Sequence, residues 1–279
     1  MQTASRKVIN AWAMYDWANS VYSLVITTTF FPAYYAAMTS IENPGFEKGV
    51  SFLGRTFVNT ELKDYFLSAA YVVIILISPI LSSIADYKGN KKNFMRFFCY
   101  LGATCCSLLF FFDANEHIYG LFMLMFACIG FYGSQVFYNS YLPEIAAEAD
   151  RDRISARGFS FGYIGSVIMQ MIGFALVLAM PDSTFPLKLT FLLVGFWWIG
   201  FAQISFKGLP HSSPLAKERK HVLVNGFHEL QKVWYQLRHM PVLKRFLAAF
   251  WFYSMGVQTI MLIAIDFGIK ELKLADAHL

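Results

Sequence analysis

The sequence predicts an all-α integral membrane protein: a block of six transmembrane helices and then, beyond a long basic loop, a seventh. Three observations carry this. Of 279 residues, 57% are hydrophobic and only 15% charged, well under the quarter or so usual in a soluble domain. The charges cluster in short stretches, leaving apolar runs of about 20 residues, enough to cross ~30 Å of hydrocarbon as helix. The basic residues then alternate from one connection to the next.

Seven spans follow in order: Ala11–Tyr35, Tyr65–Ala85, Phe94–Phe112, Ile118–Tyr141, Gly158–Ala179, Leu187–Phe206 and Phe246–Phe267. Between them, Asn90-Lys91-Lys92, Arg151–Arg157 and the long Lys207–Arg245 segment are basic. Asp113–Glu116 and Pro181–Pro186 carry acids but no base. With the N-terminus in the cytoplasm, 17 of the 23 Lys and Arg fall on that side. The positive-inside bias therefore predicts a cytoplasmic N-terminus.

In the long segment, Phe227, Leu230, Trp234 and Leu237 recur at helical spacing, with His228, Lys232 and Arg238 between them. This reads as an amphipathic helix at the cytoplasmic interface. Three parts result: 1–207, the six-helix half; 208–245, a cytoplasmic central loop; and 246–279, helix seven. A six-span block, a basic loop and a further span is how a transporter of two six-helix halves begins. Because the chain stops at Asp276-Ala277-His278-Leu279, it is expected to be truncated and, expressed alone, unstable or inactive in transport.

The net charge of +5 sits in short loops rather than on one basic face, which removes nucleic acid as a partner. Cys99, Cys105, Cys106 and Cys128 all fall inside apolar runs, without metal-ligand spacing, and read as small packers. All six histidines lie outside those runs, so neither a metal nor another cofactor is expected. The first apolar run is too long for a signal peptide and carries an acid.

That acid is Asp16. On a helix, Asp16, Asn19, Ser20, Ser23 and Thr27 share one face, a polar stripe down an apolar rod. Facing lipid it would be penalised, so it should face the bundle interior or a wet cavity. Two readings stand. In one, the stripe contacts substrate or ion, with Asp16 a proton or cation site; in the other, it is an interhelical hydrogen-bond seam. Of the flanking aromatics, Trp12, Tyr34 and Tyr35 read as interface anchors. Tyr15 and Tyr22, deeper, are candidates to line a cavity.

Further polar residues sit within spans: Gln135 and Asn139 in four, Gln170 in five, Gln203 in six and Gln258 in seven. Gln135 and Asn139, four apart on one face, join the candidate pathway. Gly158, Gly162 and Gly165 open span five as packing residues that permit close backbone approach.

The turn Ser82-Ser83-Ile84-Ala85-Asp86-Tyr87-Lys88-Gly89-Asn90-Lys91-Lys92 combines an acid, a Gly and bases at a chain reversal. It resembles the signature cytoplasmic loop of the major facilitator superfamily, although Ser82 replaces the usual leading Gly and Tyr87 stands where a base normally follows the Asp. More specific are Ala11-Trp12-Ala13-Met14-Tyr15-Asp16-Trp17-Ala18-Asn19-Ser20, Leu142-Pro143-Glu144-Ile145-Ala146, Arg153-Ile154-Ser155-Ala156-Arg157-Gly158 and Gly162-Tyr163-Ile164-Gly165. Together they resemble the vacuole effluxer-like family of that superfamily, over residues 11 to about 268.

The resemblance implies a twelve-helix fold, of which this chain holds the N-terminal half and helix seven, with a central cavity worked by alternating access. It places Asp86, Gly89, Lys91 and Lys92 at the cytoplasmic gate. Amino acids exported from fungal vacuoles are among the family's substrates. Span four lacks the Arg usual in proton-driven drug antiporters, which argues against drug–proton antiport and weakens a proton role for Asp16. The expected function is therefore secondary transport of small organic solutes, amino-acid efflux in particular. A small molecule, a coupling proton or cation, and the lipid bilayer are the expected partners. A non-transporting scaffold or sensor is the alternative, distinguished by a dry, packed centre. A membrane enzyme ranks last, since no intramembrane His, Cys pair or carboxylate cluster supports one. Short loops and no sorting segment point to a bacterial cytoplasmic membrane, with the vacuole as alternative.

Overall fold

The computed structural model describes residues 2–181, 183–211, 231 and 234–270, without the side chains of 83–88, 261, 262, 265, 266, 269 and 270. Within these bounds the protein is built of long helices. Five are long and apolar enough to cross a membrane: Asn59–Ser82, Lys91–Phe111, Ala114–Ile145, Glu148–Ala179 and Phe185–Gly208. They contain or overlap predicted spans two to six. The seventh predicted span lies within a helix running Pro241–Lys270. Of the predicted amphipathic helix, residues 234–238 are helical; Phe227, His228, Leu230 and Lys232 lie outside the described residues.

Span one is a single helical rod with an irregular middle. Arg6–Val21 and Phe31–Met38 are α-helical, and Tyr22–Phe30 between them is π-helical. Composition accounts for the change. Val25, Ile26, Thr27, Thr28 and Thr29 are five consecutive β-branched residues, which crowd an α-helix. Thr28 Oγ1 donates to the Ser23 carbonyl at 2.9 Å and Thr29 Oγ1 to the Leu24 carbonyl at 2.8 Å, each five residues back. These bonds match the wider π turn, a form frequent at functional sites.

The spans pack with one in contact with five and six, three with four and six, and two with four. Helix seven rests on the π segment and on Phe31–Met38. The core between them is strongly aromatic, with Trp12, Trp198, Tyr138, Phe137 and Phe191 fully buried. All four cysteines are free and buried in it.

The connections separate into two ends. At one, Ala4 N–H donates to the Ile145 carbonyl at 2.8 Å, Lys91 Nζ meets Glu144 Oε1 at 2.6 Å, and Lys92 Nζ donates to the Leu209 carbonyl. This is the end that the charge bias assigns to the cytoplasm. At the other, Tyr34 OH donates to the Phe112 carbonyl at 2.8 Å and Lys188 pairs with Asp113.

That opposite end carries a feature the sequence reading did not anticipate. Val50–Phe52 and Arg55–Phe57 pair as a short antiparallel hairpin. Its two-residue turn, Leu53-Gly54, has φ of 50° and 76°, the left-handed pair of a type I′ turn. Leu-Gly is a poor turn signal beside Asn-Gly or Asp-Gly, and three-residue strands are too short to show alternation.

Candidate functional site

The polar stripe of span one divides between two environments. Toward the basic end, Asp16 is 6% exposed. Tyr138 OH of span four donates to Asp16 Oδ2 at 2.8 Å, with Gln135 of the same helix beside the carboxylate. Trp12 stacks on Tyr138 at 4.4 Å between ring centroids, and its Nε1 donates to the Tyr138 carbonyl at 3.1 Å. Span five closes over this group through glycine. A Cβ at Gly158 would stand 2.8 Å from Asp16 Oδ2 and 2.9 Å from Tyr138 OH, and one at Gly162 would stand 2.5 Å from Ser20 Oγ. Asp16 and Ser20 thus lie in a packed junction of spans one, four and five.

Tyr15 and Asn19 point into the six-helix block and are fully buried. Both amide atoms of Asn19 have no hydrogen-bond partner among the described residues, and Tyr15 OH lies beside Ser134, Cys99 and Trp198 Nε1 of span six without a well-formed bond. Trp12, Tyr34 and Tyr35 differ from the interface role expected of them, since none is more than 2% exposed. A ring near a span end can fold inward when a neighbouring segment offers an aromatic partner: Tyr138, stacked, for Trp12, and Phe112, edge-on or tilted, for Tyr34 and Tyr35.

At the π segment, six or seven residues on and about 10 Å along the helix, the stripe opens into a cleft. Tyr22, Ser23, Thr27 and Thr28 of span one line it, with Tyr71 of span two, Phe131 and Tyr132 of span four, and Gln258 of helix seven. It has room of about 20 Å³ in this conformation, enough for roughly one water. Tyr22 OH and Thr27 Oγ1 are buried there near each other, neither making a well-formed hydrogen bond among the described residues. Tyr71 and Tyr132 face each other with rings 5.2 Å apart and hydroxyls at 3.5 Å. No charged side chain lines the cleft among the described residues.

Of the sequence candidates, Tyr22 and Ser23 reach this cleft, while Asp16, Asn19, Ser20 and Tyr15 do not line it. Gln135 is half-buried and Asn139 exposed, on the basic-end side of Tyr132 along span four. Tyr71 and Tyr132 were missed as site residues, because a Tyr in an apolar run carries no positional signal until the helices are paired. Gln170 Nε2 donates to Thr29 Oγ1 at 3.3 Å, and Tyr100 OH to Gln203 Oε1 at 3.2 Å, both helix–helix bonds.

At the basic end, Gly89 takes φ 62° at the chain reversal, a conformation that suits glycine. Lys91 and Lys92 are buried at 8% and 6% exposure on partners from spans four and six. The Asp86 side chain lies outside the described residues.

Comparison with known proteins agrees with this architecture. The family described as "Vacuole effluxer Atg22 like" matches residues 4–279. The chain is 32% identical over 265 residues to the "Uncharacterized MFS-type transporter YxiO" of Bacillus subtilis, covering 93% of this chain and 59% of that protein. It is 24% identical to Autophagy-related protein 22-1 of Aspergillus terreus, over 81% of this chain and 50% of that protein. Autophagy-related protein 22 of Yarrowia lipolytica is 23% identical over 78% and 50%. The chain therefore spans about half to three-fifths of the length of these relatives. No solved structure matches it.

Proposed function

The chain belongs to the vacuole effluxer Atg22-like family, and from that premise we propose that it forms part of a secondary transporter of small organic solutes, with amino-acid efflux its activity. Residues 1–207 act as the N-terminal six-helix half, 208–245 as the cytoplasmic central loop, and helix seven opens the second half. The bacterial cytoplasmic membrane is its site, with the N-terminus inside.

One observation carries this reading: two buried hydroxyls, on Tyr22 and Thr27, lie near each other without a well-formed hydrogen bond among the described residues and face an uncharged aromatic cleft where four helices meet. An unsatisfied polar group in a membrane interior costs several kcal/mol, so such groups are worth keeping when a substrate bonds them. The cleft's chemistry favours a zwitterion. Hydroxyls and the Gln258 amide can receive a carboxylate, tyrosine ring faces attract an ammonium, and no fixed charge opposes either. In the present conformation the cleft is too small for an amino acid. Admission requires the helices to part, as rocking of two halves about a midplane site would provide. Lys91, Lys92 and Gly89, with Asp86, serve as the cytoplasmic gate in that cycle.

The test is efflux and uptake of a labelled amino-acid panel by the full-length protein in vesicles. Tyr22→Phe and Thr27→Val should each lower transport about 3–10-fold, the worth of one hydrogen bond. Folded protein that moves no member of the panel would favour the scaffold or sensor reading instead.

A further inference from the structure

The segment ahead of span one makes contacts that the transport reading does not use. Residues 2–5 are not helical, and residues leading into a first helix are poorly ordered unless tied down. Here they lie across the connection between spans four and five and bond it at three points. Ala4 N–H donates to the Ile145 carbonyl at 2.8 Å. Ala147 N–H donates to Thr3 Oγ1 at 3.1 Å, and the Thr3 hydroxyl donates to Asp150 Oδ2 at 2.6 Å. Arg153 holds the other oxygen of Asp150 at 2.7 Å, which turns the carboxylate toward Thr3.

These are bonds that the connection needs. Span four ends its helix at Ile145, and the last carbonyls of a helix have no partner within it. Ala4 supplies a donor to one of them. Ala147 stands in the link to the 3-10 turn Glu148–Asp150, and Thr3 supplies the acceptor for its N–H. A single hydroxyl thus accepts from the backbone and donates to a carboxylate, as only a group with both capacities can. Ile145 and Ala146, between these bonds, are buried at 1% and 0% exposure, and Ala4 packs against the same core.

The consequence reaches the turn between spans two and three. Glu144 directly precedes Ile145, and its carboxylate meets Lys91 at 2.6 Å, two residues beyond Gly89. We infer that Thr3 and Ala4 form a clasp that sets the cytoplasmic gate, with Thr3 a positioning residue that acts through Glu144 on Lys91. The clasp fixes the last turn of span four, and Glu144 on that turn then stands where Lys91 reaches it. Loss of the clasp lets that turn open and carries Glu144 away from the lysine. The word gate rests on the transport reading; the link from Thr3 to Lys91 does not.

Amide hydrogen exchange of the full-length protein in nanodiscs tests the link. Thr3→Val keeps the side-chain shape and removes both roles of the hydroxyl. Exchange should rise about tenfold in peptides covering 144–150 and 89–95, the effect of one or two hydrogen bonds on local opening. Thr3→Ser keeps the hydroxyl and should restore the parent rates at both places. The hairpin at 50–57, at the opposite end, should not change in either variant. In vesicles, Thr3→Val should lower the maximal transport rate and leave the half-saturating concentration as it was, because the cleft is untouched. A rise confined to 144–150 overturns the proposal, since the clasp would then end at its own connection. So does no rise at either place, a rise that extends to 50–57 and marks general loosening, or a changed half-saturating concentration at an unchanged rate. Parent protein that moves no amino acid would remove the transport reading, and the exchange rates would still decide the clasp.

Discussion

The Tyr138 hydroxyl donates to Asp16 Oδ2 at 2.8 Å, joining spans one and four where Gly158 lets span five close over both. This bond favours the bracing reading of Asp16 over the coupling one. An asparagine can accept the same bond, so Asp16→Asn should fold and keep the pH profile of transport in the full-length protein. Asp16→Leu strands the Tyr138 hydroxyl and should cost about 1–3 kcal/mol, seen as a lower melting temperature in detergent. A pH profile flattened by Asp16→Asn would instead make this carboxylate a coupling site.

The glycines of span five should be intolerant in proportion to what they touch. A Cβ at Gly162 meets Ser20 Oγ at 2.5 Å, and one at Gly158 meets the buried side chains of Asp16, Trp12 and Tyr138 at 2.8–2.9 Å. Gly162→Val and Gly158→Val should each cost about 1–3 kcal/mol through overpacking. Among the described residues, Gly200 and Gly256 have nothing within 4 Å of the added atom. Their alanine variants should melt at or slightly above the parent temperature, and loss of stability there would break the argument from proximity.

Much of the architecture was legible because a bilayer imposes length, apolarity and charge sidedness on a sequence. The seven predicted spans each coincide with helix, and the described parts of the basic connections gather at one end. The candidate site was legible only in part. Residues 16, 19, 20 and 23 share a face on a regular helix, yet that face meets span five first and opens only at the π segment. Which neighbour covers which turn depends on glycines in another helix. Likewise, Tyr71, Tyr132 and Gln258 converge on Tyr22 from three spans far apart in the chain. No local pattern announces such a meeting.

The pair Lys91–Glu144, at 2.6 Å, ties the turn between spans two and three to the end of span four. The lysine side chain is 11% exposed and the carboxylate 34%, so the bond is only partly screened. Lys91→Glu should destabilise by roughly 1–3 kcal/mol, and adding Glu144→Lys should recover a good part of it. A double-mutant cycle by thermal melting gives the coupling directly. A coupling near zero would show that the pair contributes nothing at this end.

A reporter fused after Arg219 should be cytoplasmic and one fused after Asp182 external, as 17 basic residues on one side require. Reversed reporters would place the Lys91 end outside and remove it as a cytoplasmic gate.

The π segment gives the last prediction. It persists because Thr28 and Thr29 each bond a carbonyl five residues back, at 2.9 and 2.8 Å, and because five β-branched residues disfavour the tighter α turn. Thr28→Ala with Thr29→Ala removes both bonds and two of the branched side chains, and alanine is the best helix former. The segment should then wind as α-helix, changing the register between Tyr22 and Phe31. Either the cleft residues turn away from Tyr71 and Tyr132, or the Phe31–Met38 end rotates off Phe112. The span is still helical and still apolar, so insertion and circular dichroism should be unchanged. Transport should fall by more than tenfold, beyond the ~3–10-fold expected for one lost hydrogen bond to substrate, because several contacts move together. Thr28→Val with Thr29→Val separates the causes: it removes the same bonds and keeps the β-branching. If both double variants transport like the parent, the π geometry has no part in shaping the site.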